Sequence, residues 1–516
     1  MSHQQQPGPS TLWRGGHVLS PTSPAATALR TEGDRITWVG PDADAPAADR
    51  TVDLDGALVT PSFVDSHVHL TGTGTALTGL DLAGTVSAAD VLDRVAAYAK
   101  TLPSDAVVIG GGWDETTWDD PALPSYDEVD RAAGGRLAYL SRIDGHSGIP
   151  GSRIVSEQPE IGLLEYGLDK PPYRRMAHRG ARAAVAHAVP VHQRLDKARE
   201  ALAHAASLGI TAVAEHSVPN DRDNRIEPEF QGLVALGTEP GLPTVFGWWG
   251  ELRAAEKARD LGAHGCGGDL SVDGSLGSHT AYLRTPYEGT DRTGSQYLTA
   301  DQIAAHLFDC HDVGLPAAFH AIGDGAVEAV LDGLDLVEPR VGLDAIRHAR
   351  HRIEHAEVLD GPLVARMVHH GVHASVQPAF DAAWGGPNRM YAARLGRERA
   401  LATNPFSHLA GVGVPLAFGS DSPVTPLDPW GGVRAALAHR SPVSRLPMAA
   451  AFTAATRGGW RALGIDDAGT LAPGARAHFT VWDASVPGLP DLSDPGTPDP
   501  VAATTVAAGH IAFSRT

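Results

Sequence analysis

Short apolar runs recur along this chain, each closed by Gly, Pro or Asp, and their rhythm changes twice. Over the first 58 residues they read "TLWRGGHVLSP", "ATALRTEGDRITWVG" and "RTVDLDGALVTP". Apolar and polar positions ending in turn residues predict short strands of a small β-module. The far end repeats the pattern in "GTLAPGARAHFTVWDAS" and "PVAATTVAAGHIAFSRT". The two termini are therefore expected to complete one sheet system around a central body.

From about Leu195 the pattern alternates helix with apolar strand. In "LDKAREALAHAASLG", Leu195, Ala198, Leu202 and Ala205 share one helical face and Gly209 marks the stop. "TAVAEHS" then reads as a strand, followed by "PTVFGWW", "DLSVDGS", "PAAFHAIGD", "HRIEHAE", "VHASVQP" and "PLAFGSDSP". With "VTPSFVDSHVHL" before them these make eight strands, the number that closes a (β/α)8 TIM-like barrel. The expected organisation is a β-sandwich part over 1–58, a barrel over 59–463 and a second sandwich part over 464–516. An insertion after strand one, about 75–190, holds "AVVIGGGWDETTWDD" and "RLAYLSRIDGHSG" and predicts a covering subdomain.

Composition narrows the function classes. The chain has 516 residues, 42% of them hydrophobic, with 58 Gly and 38 Pro, which suits a large core linked by many turns. Its formal charge is −20 with no dense basic cluster, so nucleic acid and anionic membrane are excluded as partners. Cys266 and Cys310 are its two cysteines, which rules out a disulfide framework and a Cys-rich zinc module. "MSHQQQPGPSTLW" lacks a basic start followed by an apolar core, and no 18-residue apolar run follows it. A cytoplasmic protein is expected, with a small-molecule substrate and a homodimer as its assembly.

In "FVDSHVHLTG", side chains alternate along the strand, so His67 and His69 point together while Val68 points away. A metal ion is one reason to aim two imidazoles at a barrel mouth; packed or surface histidines are the other. Later strands decide between them. "FHAIGD" ends with His320, "RIEHAE" with His355 and "FGSDSP" with Asp421, so all five groups fall at the C-terminal strand ends where barrel active sites form.

The ordered set "TPSFVDSHVHL", "GGGWDETTW", "RIDGHSG", "DGSLGSHTA", "FHAIGD", "RIEHA", "FGSDSPV" and "GTLAPGARAHFTVWD" resembles the amidohydrolase superfamily. The likeness is to its family 3 group, which includes N-substituted formamide deformylases. It implies that His67, His69, His320, His355 and Asp421 hold a divalent metal, zinc by preference, and that Asp421 is the catalytic base. It also implies hydrolysis of an amide or formamide C–N bond in a small molecule. Deamination of a cyclic amidine or nucleobase-like substrate is the alternative, and an inactive barrel with a binding role is a third reading. The resembling proteins commonly carry a carbamylated lysine four residues before the "DG" of "DGSLGS", bridging two ions. Asp269 stands there instead, so one ion is expected, with Asp269 as a weak ligand or a structural residue, and with Glu215 and His216 as substitutes. His146, Trp113 and Gln377 are candidate substrate contacts, and orienting a metal ligand is the other role open to Gln377. Trp118 could join Trp113 as a pocket wall, and His279 replaces an expected arginine. "DAAWGGPNRMYAARLG" reads as a lid, with Trp384 and Tyr391 over the mouth and Gly385 and Gly386 as joints.

Overall fold

A computed structural model describes residues 9–143, 145, 147–157, 170–217, 219 and 226–515. At its centre eight parallel strands run in chain order: β1 Phe63–Val68, β2 Ile210–Ser217, β3 Thr244–Trp249, β4 Gly265–Ser271, β5 Ala317–Ala321, β6 Arg352–His355, β7 His373–Val376 and β8 Leu416–Phe418. Every position of β1, β5, β6 and β7 is buried, as parallel strands covered on both faces require. The ring closes just beyond β8. There the Asp421 amide donates to the His67 carbonyl at 2.8 Å and the His69 amide to the Ser422 carbonyl at 2.9 Å. This is a TIM-like barrel, and its closing bonds tie Asp421 to the histidine pair of β1.

One strand lies earlier than its sequence suggests. β4 was expected at "DLSVDGS" but spans Gly265–Ser271, because the Gly267–Gly268 pair belongs to the strand instead of ending a turn. Both glycines take positive φ, 126° and 87°. A Cβ at Gly267 would lie 2.0 Å from the Ala318 carbonyl oxygen, and one at Gly268 would lie 2.1 Å from His216 Nδ1. Pairing of β4 with β5 shifts between Gly267 and Ser271, a bulge that falls where Asp269 meets the mouth.

The termini build two sheets. Ser10–Arg14, Ala28–Glu32, Arg35–Gly40 and Arg50–Asp53 form one; the other joins Leu58–Pro61 antiparallel to Phe479–Trp482, with Ala502–Ala507 and His510–Ser514 beyond. Trp13 packs edge-on against Phe479 between them, ring centroids 5.1 Å apart. The barrel floor rests on this module through Phe63, Trp430 and Trp482, whose rings meet at 4.9 to 5.7 Å.

After β1 the inserted segment forms its own five-stranded sheet, from Leu80–Asp81 to Tyr173–Arg174, with a separate core around Val91, Val95, Trp113 and Leu140. The helix Val191–Ser207 returns the chain to the barrel and buries Ala198, Leu202 and Ala205. No described helix is long and apolar enough to cross a membrane.

Candidate active site

Strand alternation brings His67 and His69 to one side of β1, and the ends of β5, β6 and the loop after β8 bring His320, His355 and Asp421 to the same point. His69 Nε2 lies 3.2 Å and His67 Nε2 3.4 Å from Asp421 Oδ1. The rings of His320 and His355 have centroids 4.4 Å apart, and those of His67 and His355 5.1 Å apart.

Each imidazole is held from behind by an oxygen acceptor. His67 Nδ1 donates to Glu354 Oε2 at 3.0 Å, His69 Nδ1 to the His216 carbonyl at 2.9 Å, and His355 Nδ1 to Gln377 Oε1 at 2.8 Å. His320 is turned the other way, with Nε2 donating to the Gly274 carbonyl at 3.3 Å. A ring nitrogen that donates leaves the opposite nitrogen with a lone pair. The lone pairs of all four rings thus face one another, and His67 Nε2 and His355 Nε2 are buried with no hydrogen-bond partner. Buried orphan nitrogens beside carboxylates are the donor set a divalent ion takes, so these residues fit a metal.

Asp269 belongs to this cluster. Its oxygens lie 3.4 Å from His67 Nε2, 3.1 Å from His69 Nε2 and 3.7 Å from His320 Nδ1. The sequence reading set it aside as a weak ligand or a strand residue, because a double glycine hid the bulge that delivers it. Electrostatics match this crowding. Burial opposes charge on Asp269, yet His69 and His67 hold it well below the usual carboxylate range. Burial likewise opposes charge on His67, but Asp421 and Asp269 outweigh it and raise that ring to about 10, so the carboxylates favour a positive charge, proton or metal ion, at its Nε2. His355, with burial and His320 acting together, is lowered to about 3. The cluster is electronegative enough to draw in a cation.

The backbone at the site is unusual. His355 has φ 74°, Ala356 49° and Asp421 53°, a left-handed region that costs non-glycine residues about 1–3 kcal/mol and is concentrated at functional positions. The surroundings hold these residues in place. Asp65 Oδ1 accepts from the amides of His67 (3.1 Å) and Ser420 (3.0 Å), pinning β1 to the loop that carries Asp421.

Above the cluster a cavity has His320, His355 and Asp421 at its base and Asp114, Arg142, Glu357, Phe380, Trp384, Met390, Tyr391 and Arg394 around it. Trp384 and Tyr391 of the expected lid line this cavity, Tyr391 as a buried residue. Trp113 does not line it. It is fully buried in the inserted subdomain, its Nε1 donating to the Leu140 carbonyl at 2.9 Å, and Trp118 is buried there too. The strand ends at Trp113 and a 3-10 turn over Glu115–Thr117 follows, so both indoles pack inward while Asp114 and Thr116 face the cavity.

Gln377 is likewise buried and holds His355 instead of lining the cavity. His279 packs at a tilt against Tyr287, ring centroids 4.9 Å apart, and is not part of the cavity wall, where Arg142 and Arg394 supply cationic groups. His146 lies outside the described residues. Glu215 Oε2 accepts from the Leu70 amide at 2.6 Å, and His216 stacks flat on His67 at 3.9 Å, so both brace the pair from behind.

Sequence reasoning missed Glu354 and Glu357, which flank His355 in "RIEHAE". Glu354 is paired with Arg352 at 2.9 Å, so a buried ion pair stands behind His67. Glu357 is buried in the cavity wall, where burial above all raises its carboxyl to about 7.

A sequence profile described as the amidohydrolase family matches residues 50–513. This chain belongs to the amidohydrolase family. As an amidohydrolase it is an enzyme that acts on carbon–nitrogen bonds. The amidohydrolase is 27% identical over 476 residues to an imidazolonepropionase of Cereibacter sphaeroides, covering 89% of both chains. It is 26% identical over 473 residues to Protein LONG AFTER FAR-RED 3 of Arabidopsis thaliana, covering 84% of this chain and 80% of that one. Its fold matches a solved structure described as a metal-dependent hydrolase from Pyrococcus horikoshii, with a TM-score of 0.76 and 22% identity over 94% of this chain and 99% of that one.

Proposed function

We propose that this amidohydrolase is metal-dependent and hydrolyses an amide or formamide C–N bond of a small, partly apolar molecule. The observation that carries this reading is the inward set of imidazole lone pairs, each ring anchored by its other nitrogen, with Asp421 and Asp269 closing the set. His67, His69, His320, His355, Asp269 and Asp421 would hold the ion. Imidazole with carboxylate suits zinc. One ion is favoured because the short Asp269 side chain draws close to both β1 imidazoles instead of spanning two positions. When bound, the ion supplies Lewis-acid polarisation of the scissile group and brings the pKa of water toward neutrality.

The chain's own residues handle the protons and the substrate. Asp421 Oδ1, at the base of the cavity, accepts the proton of the attacking water and passes it to the leaving nitrogen, which departs poorly as an anion. Phe380, Trp384 and Met390 give the substrate an apolar wall and keep water from its far side. Asp421→Asn should keep its metal and lose turnover by about 10²- to 10⁴-fold on a library of N-formyl and N-acyl amines. Near-normal turnover in that variant would remove Asp421 from the role.

Glu357 favours a second reading, deamination of a cyclic amidine. A carboxyl raised to about 7 and facing the cavity can donate a proton to a ring nitrogen. Ammonia release from purines and pyrimidines, with no amine release from the acyl library, selects this second reading over the first. A purely binding role is disfavoured, since orphaned buried nitrogens are costly without a cation.

A further inference from the structure

On the outside of the barrel the helix Asp324–Val341, which follows β5, lies against the helix Gly361–His370, which follows β6. Where they meet, the last turn of the second helix brings His369 and His370 to Asp335 and Glu338 of the first. His370 is 1% exposed, and its Nε2 meets Asp335 Oδ1 at 2.7 Å. Because a carboxylate only accepts, this contact keeps the proton on Nε2 and leaves Nδ1 as a lone pair. Nδ1 is buried with no hydrogen-bond partner and faces Glu338 Oε2 at 3.7 Å. His369 Nε2 reaches the same oxygen at 2.8 Å. His369 Nε2 donates its proton in that contact, and the half-exposed ring can carry the proton on Nδ1 instead, so a cation can take its place between the Glu338 carboxylate and the buried His370 lone pair.

We propose that Glu338, His369 and His370 form a second metal site, remote from the active site, for a divalent transition ion of the zinc, cobalt, nickel or copper class. Their ligand atoms lie within 4.8 Å of one another. Tetrahedral zinc, with Zn–N of roughly 2.0–2.1 Å, sets its ligand atoms roughly 3.3 Å apart. The observed 2.8 and 3.7 Å bracket that separation. Asp335 plays the supporting part of a carboxylate behind a ligating histidine, fixing its tautomer and ring plane. The His369 and Glu338 side chains are 48% and 31% exposed, so an ion has access and water completes its shell.

The site also sits at a helix C-terminus, closed by Gly371 at φ 68°, where the helix dipole favours positive charge. The cationic neighbours are engaged elsewhere: Arg366 with Asp332 and the far oxygen of Asp335, and Arg347 with the His369 carbonyl. The ion would fasten together the two helices behind the strands that carry His320 and His355. A third cluster, Cys266, His306 and Cys310, does not meet the same requirement. His306 Nδ1 accepts from the Arg253 amide at 3.0 Å, so its Nε2 keeps a proton and is not a ligand.

The test is a calorimetric titration of the holoenzyme with ZnCl2 after loosely held ions are dialysed away, with thermal midpoints measured with and without zinc. One further equivalent should bind and the midpoint should rise. His369→Ala and Glu338→Gln, both at solvent-accessible positions, should each weaken that equivalent by about 30-fold or more and abolish the rise. Their turnover without added zinc should match that of the parent chain. No further equivalent in the parent, or unchanged binding in both variants, would overturn the proposal.

Discussion

Each histidine of the active-site cluster gives one nitrogen to the protein and presents the other, so the residues behind the rings decide where the lone pairs point. Gln377 is the clearest case, because it is uncharged and its Oε1 accepts from His355 Nδ1. Gln377→Met should preserve the fold and weaken metal retention by about 10- to 100-fold, measured as metal remaining after graded chelator dialysis. Retention equal to that of the parent chain would show that His355 needs no such anchor. At this scale the sequence was informative where periodicity applies. His67 and His69 could be placed on one side of a strand because side chains alternate, and His320, His355 and Asp421 because each ends an apolar run. The position of Asp269 could not be read, since it depends on a bulge created by two glycines at positive φ. Glu354 and Glu357 adjoin a recognised histidine, but nothing local says which faces Arg352 and which faces the cavity.

Among the elements, the barrel strands were legible as eight apolar runs ending in polar groups, and β4 was misplaced for the same reason as Asp269. The inserted sheet was legible as a cover but not in its facing. Its strand Val108–Trp113 belongs to an independent core, which captures Trp113 and leaves the following turn to reach the cavity. The segment after β7 behaves differently. Trp384 packs on Phe380, ring centroids 4.9 Å apart, at the edge of the cavity instead of within a core. Trp384→Ala should therefore raise KM for apolar substrates by about 10-fold, leaving metal content and thermal midpoint close to those of the parent. A fall in kcat with KM unchanged would place Trp384 in the chemistry instead of in the wall.

For the molecule as a whole, the terminal strands close a sandwich beneath the barrel, an arrangement legible from matching patterns at the two ends of the chain. Less legible was how many histidines the core keeps neutral. Burial, the largest cause in each case, lowers His351 to about 4 and both His373 and His478 to about 3. His351 Nδ1 accepts from the Ala317 amide at 3.0 Å, a bond that protonation would break. Unfolding frees these rings to titrate near about 6.5, so the unfolded chain binds more protons below that pH. Their contribution to stability is complete above about pH 6.5 and is lost as pH falls toward 4, with His351 alone worth roughly 3 kcal/mol. Between pH 6.5 and 4.5 the thermal midpoint of the parent chain should fall more steeply than that of His351→Gln, which has no ring to protonate; equal slopes in the two would contradict this.

On the proposed function, the four imidazoles and two carboxylates at the barrel mouth hold a divalent ion on which hydrolysis depends. Elemental analysis joined to turnover tests it most directly, comparing the parent chain, the parent after exhaustive chelation, and His67→Asn. A tightly held divalent ion is expected in the active parent chain, with loss of turnover on chelation and recovery on adding zinc, and neither that ion nor activity is expected in His67→Asn. A chain stripped of metal that still turns over at the parent rate would contradict it.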